Sequence, residues 1–331
     1  MTESDLKTDN IMAQWQTIQS QYQIPVMAQF HGFDTEAKTT FRAPVDTHNV
    51  EKGLIKVKIN QSERMRTLLR AGVKEDALYD YVLNDGVNLA DQVITRTKVV
   101  KNELMYSGKV TIKENNLNLT VDYGVPANQT NFTLDFGSGA TEDIPAQLQR
   151  IVDAALAVGV TLTGILTSKK VLTKLRKDAA VQKAINGNIG VGSIVKQSAL
   201  FAWLDEEYGI SRVVINDQVY NSESSIGADG RPVVNVKRYY PDNKVTFFAT
   251  APSGRLGIGL WGDPPEVDLP NMISGSTSSI SPYVYISQKA EWDPAVLWTK
   301  ASGLFMPVLY NPSSLFIATT VDSASDESGK G

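Results

Sequence analysis

The sequence contains no cysteine. Disulfide staples, thiolate zinc sites and a cysteine nucleophile are therefore excluded together. Histidine is almost as scarce: His31 and His48 are the only two, and they lack the i, i+4 spacing of a helical zinc pair. Both read as surface or locally packed imidazoles. No apolar run approaches the roughly 18 residues that a transmembrane helix needs. The N-terminus, Met1-Thr2-Glu3-Ser4-Asp5, is polar and acidic, unlike a secretory signal. The expectation is a soluble protein made in the cytoplasm, for which the Asn-x-Thr triplets at Asn118, Asn128 and Asn131 carry no meaning. A surplus of positive charge is missing too. With a net charge of −4 the whole chain repels nucleic acid weakly. Nor is there an internal repeat of about 20–50 residues, which argues against solenoids and propellers.

What is present suits one large or two modest domains across 331 residues. A chain of this size buries about 75% of its unfolded surface, so it needs no metal to stabilise it. Residues 1–45 are rich in Gln and Thr with scattered apolar residues (Ile11, Trp15, Ile18, Ile24, Val26), which reads as an arm without a core of its own. Ile55, Val57 and Ile59 then alternate with Lys56 and Lys58, the period-2 pattern of a strand with one wet, basic face. Glu63, Arg64, Arg66 and Arg70 extend the charge.

The strongest helix runs from Leu89 to Ser107, with Leu89, Val93, Thr97, Val100 and Leu104 in one stripe. Asn88 is the expected N-cap and Gly108 the stop. A hairpin follows, Lys109–Lys113 and Leu117–Tyr123 around Asn115-Asn116, with a short strand at Leu134–Phe136. Residues 141–260 alternate helices with strands, a mixed α/β layer. Its helices begin at Asp143-Pro145, Ser168 and Ser198; its strands are Val160–Leu166 and the buried-type runs Arg212–Ile215 and Lys244–Ala249. Ser222–Gly230 and Asn271–Ser281 read as polar loops, and the tail after Val321 as disordered.

Few groups could carry catalysis. Gly254, Gly257 and Gly259 form G-x-x-G-x-G, but no Lys-Ser/Thr follows and the next residues are strand-like, so no phosphate cradle is expected. Ser193-Ile194-Val195-Lys196 matches the Ser-x-x-Lys of penicillin-interacting enzymes without the companion Ser-Asp-Asn and Lys-Thr-Gly motifs. The acid pairs Glu206/Glu207 and Asp34/Glu36 read as solvated surface. The cluster Lys169, Lys170, Lys174, Arg176 and Lys177 reads as one solvated helix face, with contact to phosphates as the other reading.

The closing quarter carries the clearest pattern. A strand run ends at Gly254-Arg255-Leu256-Gly257-Ile258-Gly259 and leaves through Pro264-Pro265-Glu266. Met306-Pro307-Val308, Asn311-Pro312 and an apolar strand from Ser314 to Val321 follow. Order and spacing resemble the end of the lambda-type capsid protein E family, the major head proteins of tailed bacteriophages. The resemblance implies an α+β tailed-phage major capsid fold. Its parts would be an N-terminal arm (1–45), an E-loop region (46–85), a peripheral domain with a long spine helix (86–140 and 300–321), an axial α/β domain (141–299) and a disordered tail (322–331). The last strand would then pair with strands near 109–136, with its prolines at strand ends. The family implies pentamers and hexamers tiling an icosahedral shell around the genome, in a virion assembled in the host cytoplasm. Further implied partners are a portal, a scaffolding protein, a possible decoration protein and double-stranded DNA held non-specifically, with no cofactor, no metal, no membrane and no catalysis. Lys56, Lys58, Arg64, Arg66 and Arg70 would contact acidic surface on adjacent copies. The alternatives are an encapsulin-like nanocompartment shell with the same fold, and a hydrolase built on Ser193 and Lys196.

Overall fold

The computed structural model describes residues 5–22, 24, 26–27, 42–63, 67, 85–187, 192–222, 225–227, 231–250, 254–268, 274–277 and 281–323. In chain order these form β1 (Leu6–Lys7), β2 (Met12–Thr17), β3 (Asp46–Glu51), β4 (Gly53–Gln61), α1 (Asp85–Ser107), β5 (Lys109–Glu114), β6 (Leu117–Asp122), α2 (Ala127–Thr130), β7 (Phe132–Asp135) and α3 (Ile144–Ala157). Then come β8 (Gly164–Thr167), α4 (Lys169–Lys177), α5 (Ala179–Asn186), α6 (Gln197–Tyr208), β9 (Arg212–Ile215), β10 (Val219–Asn221), β11 (Val236–Arg238), β12 (Lys244–Phe248), β13 (Gly257–Gly262), β14 (Ser274–Thr277), β15 (Tyr285–Trp292), β16 (Ala295–Leu309) and β17 (Leu315–Val321). The chain divides into two compact units: residues 1–15, 48–101 and 257–308 form the first, and 16–47, 102–256 and 309–331 the second.

The first unit is built on a sheet in the order β1-β13-β16-β15-β14, with β4 also paired to β16. β16 is the long central strand, and it runs antiparallel both to β15 and to β4. Residues 257–299, expected beside 141–256, therefore lie with the basic strand β4 instead. The reason is non-local hydrogen bonding, which the local pattern does not encode. β14 lies within a run expected to be a polar loop, and it pairs with β15. Pro307 sits inside β16 rather than marking its end.

Helix α1 has the predicted stripe: Leu89, Val93, Thr97, Val100 and Leu104 are all buried. It starts earlier than expected, at Asp85, so Asn88 is an exposed residue of its first turn and not the cap. A carboxylate at that end offsets the positive pole of the helix dipole, and Asp85 also accepts from Gln61 Nε2 at 3.3 Å. Gly108 closes the helix at φ 71°, donating its N–H to the Leu104 carbonyl at 2.9 Å.

The second unit is a five-stranded sheet in the order β7-β17-β12-β8-β9, with α3, α4 and α6 supplying apolar residues to one core. Local chemistry sets each helix start. Asp143 accepts from the Ala146 N–H at 2.9 Å, Ser168 from the Val171 N–H at 3.2 Å, and Asp178 from the Val181 N–H at 3.0 Å. Gly159 and Gly209 end α3 and α6 with positive φ. A Cβ on Gly159 would come within 2.7 Å of the Ile24 side chain, so space and backbone both require glycine there. Gln147 fastens α3 to β7, accepting from the Asp135 N–H at 2.7 Å and donating to the Glu142 carbonyl at 2.7 Å.

β17 pairs parallel with β7 and antiparallel with β12. The expected pairing of the last strand with residues 109–136 is thus found at 132–135 alone. The hairpin β5-β6 forms its own two-stranded sheet, turning at Asn115 and Asn116 with φ of 47° and 65°. β9 is half exposed because it is an edge strand, not the buried strand expected. Of the expected loop at 222–230, the described residues 222 and 225–227 lie between β10 and β11, which pair, and an isolated bridge joins Ile226 to Pro232.

Candidate inter-subunit surface

Strand β4 alternates between half-buried and exposed residues along its length. Ile55, Val57 and Ile59 face inward because their partners on β16 include the fully buried Ala301 and Thr299. Lys56 and Lys58 are thereby turned outward, as the period-2 pattern requires. Register then decides what joins them. Lys56 lies opposite Ser302, Lys58 opposite Lys300 and Asn60 opposite Trp298. On the far side of β16, Lys300 lies opposite Ser287, and Trp298 opposite Lys289. One face of three strands therefore carries Lys56, Lys58, Lys289 and Lys300, with Trp298 and the carboxylate Glu291 beside the last three.

The four cations are not equivalent. Lys300 pairs with Glu266, which is buried in the turn after β13 and also accepts from Ser302 Oγ at 3.1 Å. Burial pushes the Glu266 carboxyl up, but Lys300, a backbone N–H and Ser302 outweigh it and hold the group below the usual carboxylate range. The charge of Lys300 is thus spent internally. Lys58 Nζ stands 4.4 Å from the centroid of the Trp298 ring, a cation–π contact. Lys289 has only a loose 3.8 Å contact with Glu291, and both side chains are exposed. Lys58, Ser287, Lys289, Glu291, Trp298 and Lys300 line an open concavity of about 260 Å³. With Lys300 satisfied by Glu266, Lys58 and Lys289 are the cations of this concavity that an incoming carboxylate would meet.

Of the residues expected at this surface, the structure places Lys56 and Lys58 together on β4, while Arg64, Arg66 and Arg70 lie outside the described residues. Trp298, Lys289 and Lys300 were not foreseen. Two members of the other basic cluster are paired within the chain, Lys170 with Asp242 at 2.9 Å and Lys174 with Asp322 at 2.6 Å, and Arg176 Nε donates to the Val195 carbonyl at 2.7 Å. Ser193 and Lys196 are exposed on the turn before α6, with Lys196 at its N-cap position. Gly257 and Gly259 lie within strand β13, which agrees with the absence of a phosphate cradle. His48 stacks on Trp15 with ring centroids 5.0 Å apart, a locally packed imidazole; His31 lies outside the described residues. Among the described residues no group of three or more His, Cys, Asp or Glu side chains could hold a metal ion, and no helix is long and apolar enough to cross a membrane.

An α+β subunit with these two sheets is the architecture of phage capsid proteins. A protein assigned as the capsid protein of a prophage in E. coli CFT073 matches with a TM-score of 0.53 at 12% identity, over 85% of this chain and 80% of that one. The capsid asymmetric unit of cyanophage A-1(L) matches with a TM-score of 0.51 at 12% identity, over 96% and 90% of the two chains. A phage-related protein from Bordetella bronchiseptica RB50 matches with a TM-score of 0.52 at 9% identity, over 95% and 88%. No curated protein matches the chain by sequence. The model of the family described as phage major capsid protein E matches residues 17–320, and the chain belongs to that family. It is a structural protein of the virion, a capsid subunit.

Proposed function

We propose that the chain assembles with copies of itself, as pentamers and hexamers, into an icosahedral shell around a double-stranded DNA genome. The observation that carries this reading is the outward basic face of β4, β15 and β16. On a chain of net charge −4, such a face finds its complement most readily on the acid-rich remainder of another copy. In this reading the first unit is the peripheral domain with β4 as the E-loop strand and α1 as the spine helix, and the second unit is the axial domain. A portal, a scaffolding protein and the packaged DNA are the further partners that a shell of this kind requires, and a decoration protein would add an outer layer. The shell reading assigns the chain no turnover.

Electron microscopy of the purified protein tests the assembly. Closed particles of tens of nanometres are expected, and a strictly monomeric protein under assembly conditions would refute the proposal. The surface has its own test: Lys56→Glu with Lys58→Glu should cut particle yield at least about tenfold, while the thermal melt of the unassembled subunit stays unchanged. Normal shells from that double variant would remove the basic face from the argument.

A further inference from the structure

Strand β1 is two residues long, too short for backbone pairing alone to hold it on β13. Apolar burial does not hold it either, since Leu6 is 52% exposed and Ile11 53%. Polar hooks do. The Asp5 carboxylate accepts from Lys101 Nζ at 2.9 Å through each oxygen, from the Gly259 N–H at 3.1 Å and from Trp261 Nε1 at 2.8 Å. The Tyr283 hydroxyl donates to the Asp5 carbonyl at 2.8 Å. Three residues on, the buried ammonium of Lys52 donates to Thr8 Oγ1 at 2.7 Å, to the Thr8 carbonyl at 3.2 Å and to the Trp261 carbonyl at 3.0 Å, and also to the Asn10 carbonyl. The Thr8 N–H completes the set on the Trp261 carbonyl at 2.9 Å. The seat is shaped for this occupant: a Cβ at Gly259 would lie 2.6 Å from Asp5 Oδ1.

We propose that this seat is a strand-binding site that reads Asp-x-x-Thr, and that it can take residues 5–12 of a second copy in place of the chain's own. The carboxylate answers Lys101 and the Trp261 N–H, and the hydroxyl three residues later answers Lys52. Asp5-Leu6-Lys7-Thr8 is the only Asp-x-x-Thr in the sequence, so no other segment of the chain satisfies both. An emptied seat takes from Lys101 its Asp5 partner and from the buried ammonium of Lys52 its contacts to Thr8 and Asn10, a costly loss that a matching segment repairs. Exchange between copies conserves the contacts of the seat; β2, which begins at Met12 and pairs with β3, travels with the segment, so the altered path of the chain lies beyond Thr17, the usual condition for swapping an element between protomers. The proposal takes from the shell reading only the source of a crowded second copy, which raises the effective concentration of the free segment.

The cysteine-free background makes the test direct. Leu6 and Leu260 are register partners. One batch of protein carries Leu6→Cys, a second carries Leu260→Cys, and a third carries both. The batches are mixed, assembled and oxidised. The double variant should form an intrachain disulfide, which shows that it folds with the seat occupied. The mixed single variants should form covalent dimers, and adding Asp5→Asn to the Leu6→Cys copy should reduce them at least about fivefold. Cross-linking confined to the double variant would overturn the exchange, and failure of the double variant to cross-link would overturn the seat. Particle formation, scored separately by microscopy, decides the shell reading: particles with only intrachain disulfides leave that reading standing and sink this one.

Discussion

Tyr208 and Lys52 show how single buried groups tie this fold to pH, with opposite signs. Burial above all, then the charges of Glu207 and Asp143, pushes the Tyr208 phenol up to about 12. Its hydroxyl donates to the Pro145 carbonyl at 3.0 Å, and its ring meets Trp203 edge-on at 5.2 Å. A raised folded-state pKa means that its stabilisation is whole below the unfolded value of about 10 and is lost as pH climbs from there toward 12. Tyr208→Phe should therefore cost about 1 kcal/mol near neutrality, through the lost hydrogen bond. The same variant should flatten the fall of stability above pH 10, measured by urea melts at stepped pH; an unchanged slope would refute the assignment. Lys52 runs the other way. Burial pulls its ammonium below the usual lysine range, against the pull of Asp263 and Asp9. In the window just below that range the unfolded chain holds the proton more tightly, so this group makes the fold more stable as pH rises.

Elements here were legible where their cause is local. The stripe of α1 and the caps Asp143 and Ser168 are visible in a few consecutive residues, and each appears in the structure where the sequence pointed. Asp143→Ala should lower stability by about 1 kcal/mol. Leu104→Ala, in the buried stripe, should cost about 2–5 kcal/mol. Both are read from denaturant midpoints, and equal losses from the two would contradict the distinction between cap and core. Strands whose cause is a distant partner were not legible. β14, with the sequence Ser-Gly-Ser-Thr, has no apolar alternation and exists because β15 offers a free edge. The ribbon of β10 and β11 is likewise exposed on nearly every residue, so no buried face announces it. The same division governs the candidate surface. Alternation along β4 gave Lys56 and Lys58, whereas Trp298, Lys289 and Lys300 arrive through the register of β16 with its two neighbours, which no local pattern contains. The arm shows the same. Asp5 and Thr8, which anchor the segment beside β13, look like ordinary surface residues in the sequence.

For the whole molecule, the sign of the exposed charge constrains the symmetry of assembly. A face carrying Lys56, Lys58 and Lys289 cannot be its own complement, since two such faces brought together would repel. In the proposed assembly it would meet a different, acidic patch on the next copy. Such heterologous contacts close into rings where the rotation between copies closes and run on as open filaments where it does not, whereas a self-complementary patch gives two-fold dimers. Rings of five or six are what the proposed shell requires, and a heterologous contact is the kind that can build them. The contact is also exposed, which makes it sensitive to screening. Going from about 0.1 M to about 1 M salt shortens the Debye length from about 10 Å to about 3 Å, less than the spacing of cations across neighbouring strands. Light scattering should then show the initial assembly rate falling by about tenfold or more, because steering by opposite charges acts mainly on association. In the Lys56→Glu, Lys58→Glu variant the rate should start low and change little with salt. An assembly rate that rises with salt in the unmodified chain would mean that apolar contact drives the encounter, and the basic face would then be a bystander.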